Sequence, residues 1–194
     1  MDELLLYGRL GFKHIIDLGG VDHILFVLAL TLRYVWSDWK KILVLVTSFT
    51  IGHSLTLALS TLSLIDISVN WIEFLIPVTI LITALSNFWV KDFEFTQRYS
   101  AHYGLALFFG LIHGLGFSNY LKSLLGKEAS LLGPLFSFNI GLEIGQILIV
   151  GVILAISYCL VIVLKIPRKM YVRYGSILAI SLSLRMILER LGSL

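Results

Sequence analysis

Imidazoles, carboxylates and amides recur in this sequence where apolar residues are densest. His14, Asp22 and His23 fall in GFKHIIDLGGVDH, His53 in FTIGHS, His113 in GLIHGLGF, and Asn139, Glu143 and Gln146 in FNIGLEIGQ. A titratable group held inside a membrane-spanning stretch is costly and marks a functional site by default, so the partner that offsets the cost has to be identified. Imidazole with carboxylate suits nickel, cobalt, zinc or ferrous iron, whereas calcium and magnesium prefer oxygen donors and cuprous copper prefers sulfur. The one Cys and three Met all lie outside these motifs, which argues against copper. The expected common partner is a divalent transition-metal ion.

Composition fixes the elements that must position these groups. The 194 residues are 58% hydrophobic and 14% charged, with a mean hydropathy of +0.93, and runs such as Ile42 to Ile65 are long enough to cross the ~30 Å hydrocarbon core. At about 20 residues per span, the chain predicts an all-α polytopic membrane bundle of about six transmembrane helices, in a single domain over 1–194. The net charge of +3 gives no reason to invoke nucleic acid. Cys159, alone in an apolar run, is expected to be an ordinary packed thiol. Charged residues interrupt the first 20 positions, so no cleaved leader is expected there.

An N-terminal amphipathic or half-inserted helix is expected at about 3–17, followed by a break at Gly19-Gly20. Spans are expected at about 21–37, 41–63, 69–90, 100–122, 135–164 and 171–190. The intervening loops are marked by Ser37 to Lys41, Asp66 to Asn70, Lys91 to Glu94, Gly126 to Ser130 and Lys165 to Lys169; Ala129 to Gly133, ahead of Pro134, is expected to lie flat or form a separate turn. Nine of the fifteen Lys and Arg residues flank the loops after spans one, three and five. The positive-inside rule then places both termini outside. Trp36, Trp39, Trp71 and Trp89 sit near span ends and are expected to anchor at the membrane interface.

With that orientation every candidate group falls in the outer half of the bundle, which predicts one shared site. Asn139, Glu143 and Gln146 project within roughly 60° of one helix face. The spacings Gly110-x-x-x-Gly114 and Gly141-x-x-x-Gly145 provide small surfaces on which helices approach closely. The expected metal ligands are His14, Asp22, His23, His53, His113 and Glu143. Asn139, Gln146, Ser54 and Glu73 are expected to support them by fixing tautomers and rotamers.

The order H-x7-D-H, F-T-x-x-H-S-x-T-L, G-L-x-H-G-x-G-F and F-N-x-G-x-E-x-G-Q over residues 10–150 resembles the HupE/UreJ family of bacterial membrane proteins, in its second branch. The resemblance implies secondary uptake of nickel or cobalt across the inner (cytoplasmic) membrane. It places His14, Asp22 and His23 beside the His and Asp-His signature of nickel permeases, with His53, His113 and Glu143 as further polar positions.

Two function classes stay open. One is a permease for nickel, cobalt or zinc, with an oligomer allowed. The other is a zinc-dependent intramembrane hydrolase or transferase acting on a lipid or lipidated substrate, with Glu143 or Asp22 as proton acceptor. Each group also has a plain structural role to weigh: Asp22 as a helix cap, His53 and His113 as satisfied core residues, Glu73 snorkelling to water, His102 at the surface. A metal-stapled scaffold for a membrane partner is the third reading.

Overall fold

The computed structural model describes residues 2–17, 20–89, 100–125 and 132–192. Leu18 and Gly19, residues 90–99 and residues 126–131 lie outside the described residues, and with them half of the expected Gly19-Gly20 break, the expected loop Lys91 to Glu94 and most of the stretch ahead of Pro134. Eight α-helices form the rest: α1 (Asp2–Ile16), α2 (Asp22–Thr31), α3 (Trp39–Thr61), α4 (Val69–Ser86), α5 (Ser100–Gly116), α6 (Ser118–Leu125), α7 (Leu132–Tyr158) and α8 (Arg168–Leu191). Short 3-10 turns precede α3 and follow α4, and a π-helical segment, Cys159–Val163, extends α7. Among the described residues there is no strand.

Four stretches, Trp36–Thr61, Val69–Trp89, Leu132–Val163 and Arg168–Leu191, are each long and apolar enough to cross a bilayer. Their outward surfaces carry residues such as Ile51, Leu55, Ile82, Ile144, Leu148 and Leu178 in exposed positions. A soluble protein does not display apolar side chains on this scale, and a hydrocarbon solvent accounts for it. All four tryptophans are exposed at element ends, where an indole meets the polar boundary of a membrane.

Two glycine-lined seams set the packing. On the α1–α7 seam a Cβ at Gly11 would overlap the Phe138 carbonyl, and one at Gly141 would overlap the Gly8 carbonyl. On the α3–α5 seam Gly52, Gly110 and Gly114 stand in the same way against the carbonyls of Leu107, Phe49 and His53. Small residues bring helix backbones together where lipid supplies no hydrophobic drive. Both seams are parallel. Phe49 meets Gly110 and His53 meets Gly114, with Ser60 donating to Ser118 at 2.9 Å one turn beyond.

The first column is made of two helices in series. α1 follows α7 from Leu4, whose carbonyl accepts the Ser137 hydroxyl, to Ile15, which lies against Gly145. α2 takes up the same line farther on, where Leu28 and Leu32 share an apolar cleft with Ile153, Ile156 and Leu160. α8 runs antiparallel to α2 and α4. It closes against Asp22 and the Glu73 carbonyl at one end through Arg190, and against the Arg33 carbonyl at the other through Arg168. The two described ends of the chain therefore lie toward the same end of the bundle.

Several expected boundaries are corrected. The N-terminal helix is not an addition to a full first span: Ile15 is wholly buried and Tyr7 nearly so, and α1 and α2 together make one broken column. The span expected to reach residue 37 stops at Thr31, because Leu32 to Val35 turn back on themselves and Arg33 is tied sideways to α4. The span expected over 100–122 breaks at Phe117. Gly116 is a poor helix former, and Phe117 turns inward to pack on His14 and Phe138. The span expected from 135 begins at Leu132, with Pro134 in the first turn, where its missing N–H interrupts no helical hydrogen bond.

Candidate metal centre

The break in the first column brings two histidines from distant turns together. His14 lies in the last turn of α1 and His23 in the first turn of α2; their ring centroids are 4.6 Å apart. His53, from the second half of α3, stands 6.0 Å from His14 and 6.3 Å from His23. Ligand atoms of these three residues all lie within 4.8 Å of one another. His113, from α5, adds a fourth imidazole 5.3 Å from His23. The α3–α5 seam sets His113 at the level of His53: Gly110 and Gly114, on either side of His113 in sequence, stand against the backbone at Phe49 and His53.

Hydrogen bonds set which ring nitrogens face inward. His113 Nδ1 lies 2.9 Å from the Phe109 carbonyl. A carbonyl only accepts, so Nδ1 carries the hydrogen and Nε2 keeps its lone pair. His23 Nδ1 lies 3.1 Å from Asp22 Oδ1, which also accepts the His23 backbone N–H at 3.0 Å. The same logic makes Nδ1 of His23 the donor to Asp22. This is the carboxylate–histidine arrangement that orients metal-binding imidazoles and raises their basicity.

The inward nitrogens have no protein partner. His14 Nε2, His23 Nε2, both ring nitrogens of His53 and His113 Nε2 are buried without a hydrogen bond. Buried polar atoms are otherwise paired in the great majority of cases, and each exception calls for an explanation. The five lie on four rings joined by centroid distances of 4.6 to 6.3 Å, and with one nitrogen of a neutral His53 carrying its hydrogen the cluster offers up to one lone pair per ring, the donor type that divalent transition metals take.

The surroundings confine the cluster. Phe138 stacks on His53 at 6.3 Å and Phe117 packs on His14 at 4.1 Å. Phe26, Phe49 and Phe109 close the opposite side, with Phe26 and Phe49 at 5.1 and 5.2 Å from His113. None of these aromatics stood out in the sequence, because a Phe in an apolar span carries no signal of its own. Beside the last two turns of α1, a cavity of about 770 Å³ lined by Leu10, Lys13, His14, Ile16, Asp17, Phe117 and Tyr120 borders His14.

The remaining expected residues surround this group or lie farther off. Asp22 supports His23 and has Arg190 at 3.8 Å from its other oxygen. Glu143 is outside the three-residue ligand group and accepts the Thr47 hydroxyl at 2.6 Å. Gln146 Oε1 accepts Thr50 at 2.9 Å, and Asn139 Oδ1 is buried with no partner. Ser54 donates to the Thr50 carbonyl at 2.6 Å, a local bond within α3. Glu73 is exposed at the start of α4. His102, expected at the surface, is half-buried and pairs with Arg33.

Comparison with known proteins gives one finding. The sequence profile of a family described as HupE / UreJ protein matches residues 1–190. No curated protein and no solved structure matches the chain.

Proposed function

The chain belongs to the HupE/UreJ family, generally associated with nickel and cobalt transport, and from that premise we propose that it moves a divalent first-row metal ion, nickel or cobalt before zinc, across the bacterial inner membrane. The observation that carries this is the group of unpartnered imidazole nitrogens from α1, α2, α3 and α5. In this reading His14, His23, His53 and His113 bind the ion as it sheds its water, and Asp22 holds His23 in the binding tautomer. The cavity beside His14 is the entrance. With both termini outside, that entrance faces the exterior.

A site assembled from separate columns, one of them broken, suits alternating access, because rocking one column against another dismantles the coordination shell. The broken helix also fits the pattern in which irregular backbone at membrane depth lines a cavity.

The open cavity supports a second reading, a zinc-dependent hydrolase, since an enzyme too needs one accessible face. The same preparation separates the two. Purified protein in sealed vesicles is expected to bind about one nickel or cobalt ion per chain and to accumulate it, with both lost in His23→Ala. Metal bound tightly without accumulation would favour the hydrolase, and full metal retention by His23→Ala would overturn the site.

A further inference from the structure

We propose that the seam between α3 and α7 holds a second cation station, made entirely of oxygen, which receives the ion after it leaves the imidazoles. The inference rests on the transport reading above. Its members are Glu143, Gln146 and Asn139 on α7 with Thr47 and Thr50 on α3. Glu143 accepts Thr47 at 2.6 Å, Gln146 accepts Thr50 at 2.9 Å, and Asn139 Oδ1 is buried with no partner.

Three observations point to a ligand here. First, Glu143 is a half-buried carboxylate in the middle of a helix of 27 residues, and no ion pair among the described residues involves it. Such a group is costly in hydrocarbon and is retained where ions or protons pass. Second, the orphaned Asn139 oxygen adds an acceptor on the same face of α7. All the donors this seam could offer a cation are oxygen, and oxygen holds a divalent first-row metal more weakly than imidazole does.

Third, the direct way onward from the histidines is filled. Phe26, Phe49 and Phe109 pack with centroids 5.0 and 5.8 Å apart beneath His23 and His113, and the buried Arg33 guanidinium lies farther along that column. A cation meets there first apolar rings and then like charge. The polar continuation runs along α3 instead: at about 1.5 Å per residue, Thr50 and Thr47 lie roughly 5 and 9 Å beyond His53 toward the far end. A tight nitrogen site followed by a looser oxygen site gives the ion somewhere to go without leaving it trapped.

The test uses cobalt alone as probe, in purified full-length protein and in sealed vesicles. Titration is expected to show one tight cobalt with nitrogen-type absorption and a second bound at least 100-fold more weakly with the pale spectrum of an all-oxygen shell. Glu143→Gln is expected to abolish the weak ion, leave tight binding within about twofold, and slow uptake at least tenfold. Thr47→Val is expected to do the same in milder form, with Thr47→Ser restoring the wild-type behaviour. Loss of the tight ion in Glu143→Gln would place Glu143 in the histidine site and overturn the station. Unchanged weak binding and uptake would reduce the seam to interhelical glue. Should wild-type vesicles accumulate no metal, the transport reading fails by itself, and the weak cobalt equivalent still decides whether the station exists.

Discussion

Two buried polar clusters occupy opposite ends of α2, and they are built in opposite ways. At the far end Arg33, 4% exposed, spends its donors on protein: Nε and Nη2 reach Asn87 Oδ1 at 3.0 and 2.7 Å, Nη2 also reaches Ser86 at 2.8 Å, and Nη1 pairs with His102. Asn87 passes its own donors to the Ala29 carbonyl and to Ser176. At the near end His23 and His113 each have Nδ1 held and Nε2 left open, and His53 has both ring nitrogens open. A closed network rigidifies a fold, whereas an open one leaves buried polar atoms without a partner from the protein itself, the place the proposed metal would take. The first fastens α2 to α4, α5 and α8, and the second uses that fixed α2 to present His23.

The contrast can be broken most decisively at His53, whose two ring nitrogens are both unpartnered. His53→Ala is expected to abolish tight metal binding while leaving the apo protein folded, read by elemental analysis beside circular dichroism. Arg33→Ala should do the reverse. Removing a charged donor strands several buried acceptors, each costing about 1–3 kcal/mol, so detergent unfolding is expected to show a loss of about 3 kcal/mol or more with metal stoichiometry kept in whatever fraction folds. Loss of metal without loss of stability would make Arg33 part of the site.

Asp22→Asn sharpens the comparison, because it leaves the imidazoles in place and weakens only their orientation. A tenfold to hundredfold loss of metal affinity is expected, measured by competition with a chelator of known strength. An effect under twofold would reduce Asp22 to a helix-capping residue. The smallest effect belongs to the exposed Arg185–Glu189 pair on α8, 2.7 Å apart at side-chain exposures of 74% and 57%. Arg185→Ala is expected to change neither stability nor metal binding measurably, as solvent-exposed pairs at this spacing contribute little.

Much of the near cluster was legible because histidines inside apolar runs are rare enough to stand out, and because the glycine spacings on α5 and α7 announce close packing. Their partners were not legible. Gly8, Gly11 and Gly52 complete the seams, yet each sits alone in its motif with no sign of which backbone it will meet. The far cluster escaped notice for a different reason: Arg33 reads as a boundary cation, and only the early end of α2 reveals that the chain turns in before reaching water. The split of α5 from α6 at Phe117 was hidden by unbroken hydrophobicity, since a turn that buries a Phe leaves the pattern intact. Glu143 shared a face with Asn139 and Gln146 as helical geometry required, but helical geometry says nothing about which neighbour that face will choose.

The interrupted first column also has an electrical meaning. On the transport reading proposed above, with α1 ending at Ile16 and the cavity beside His14 filled by the bathing solution, that solution's potential would extend inward to the imidazole, and the transmembrane voltage would drop over the packed layers that follow. An ion arriving at the four rings would then have done almost no work against the field. The full drop, about 4.6 kcal/mol per 100 mV for a doubly charged species, twice the figure for a single charge, would be concentrated on the short passage between the rings and the opposite face.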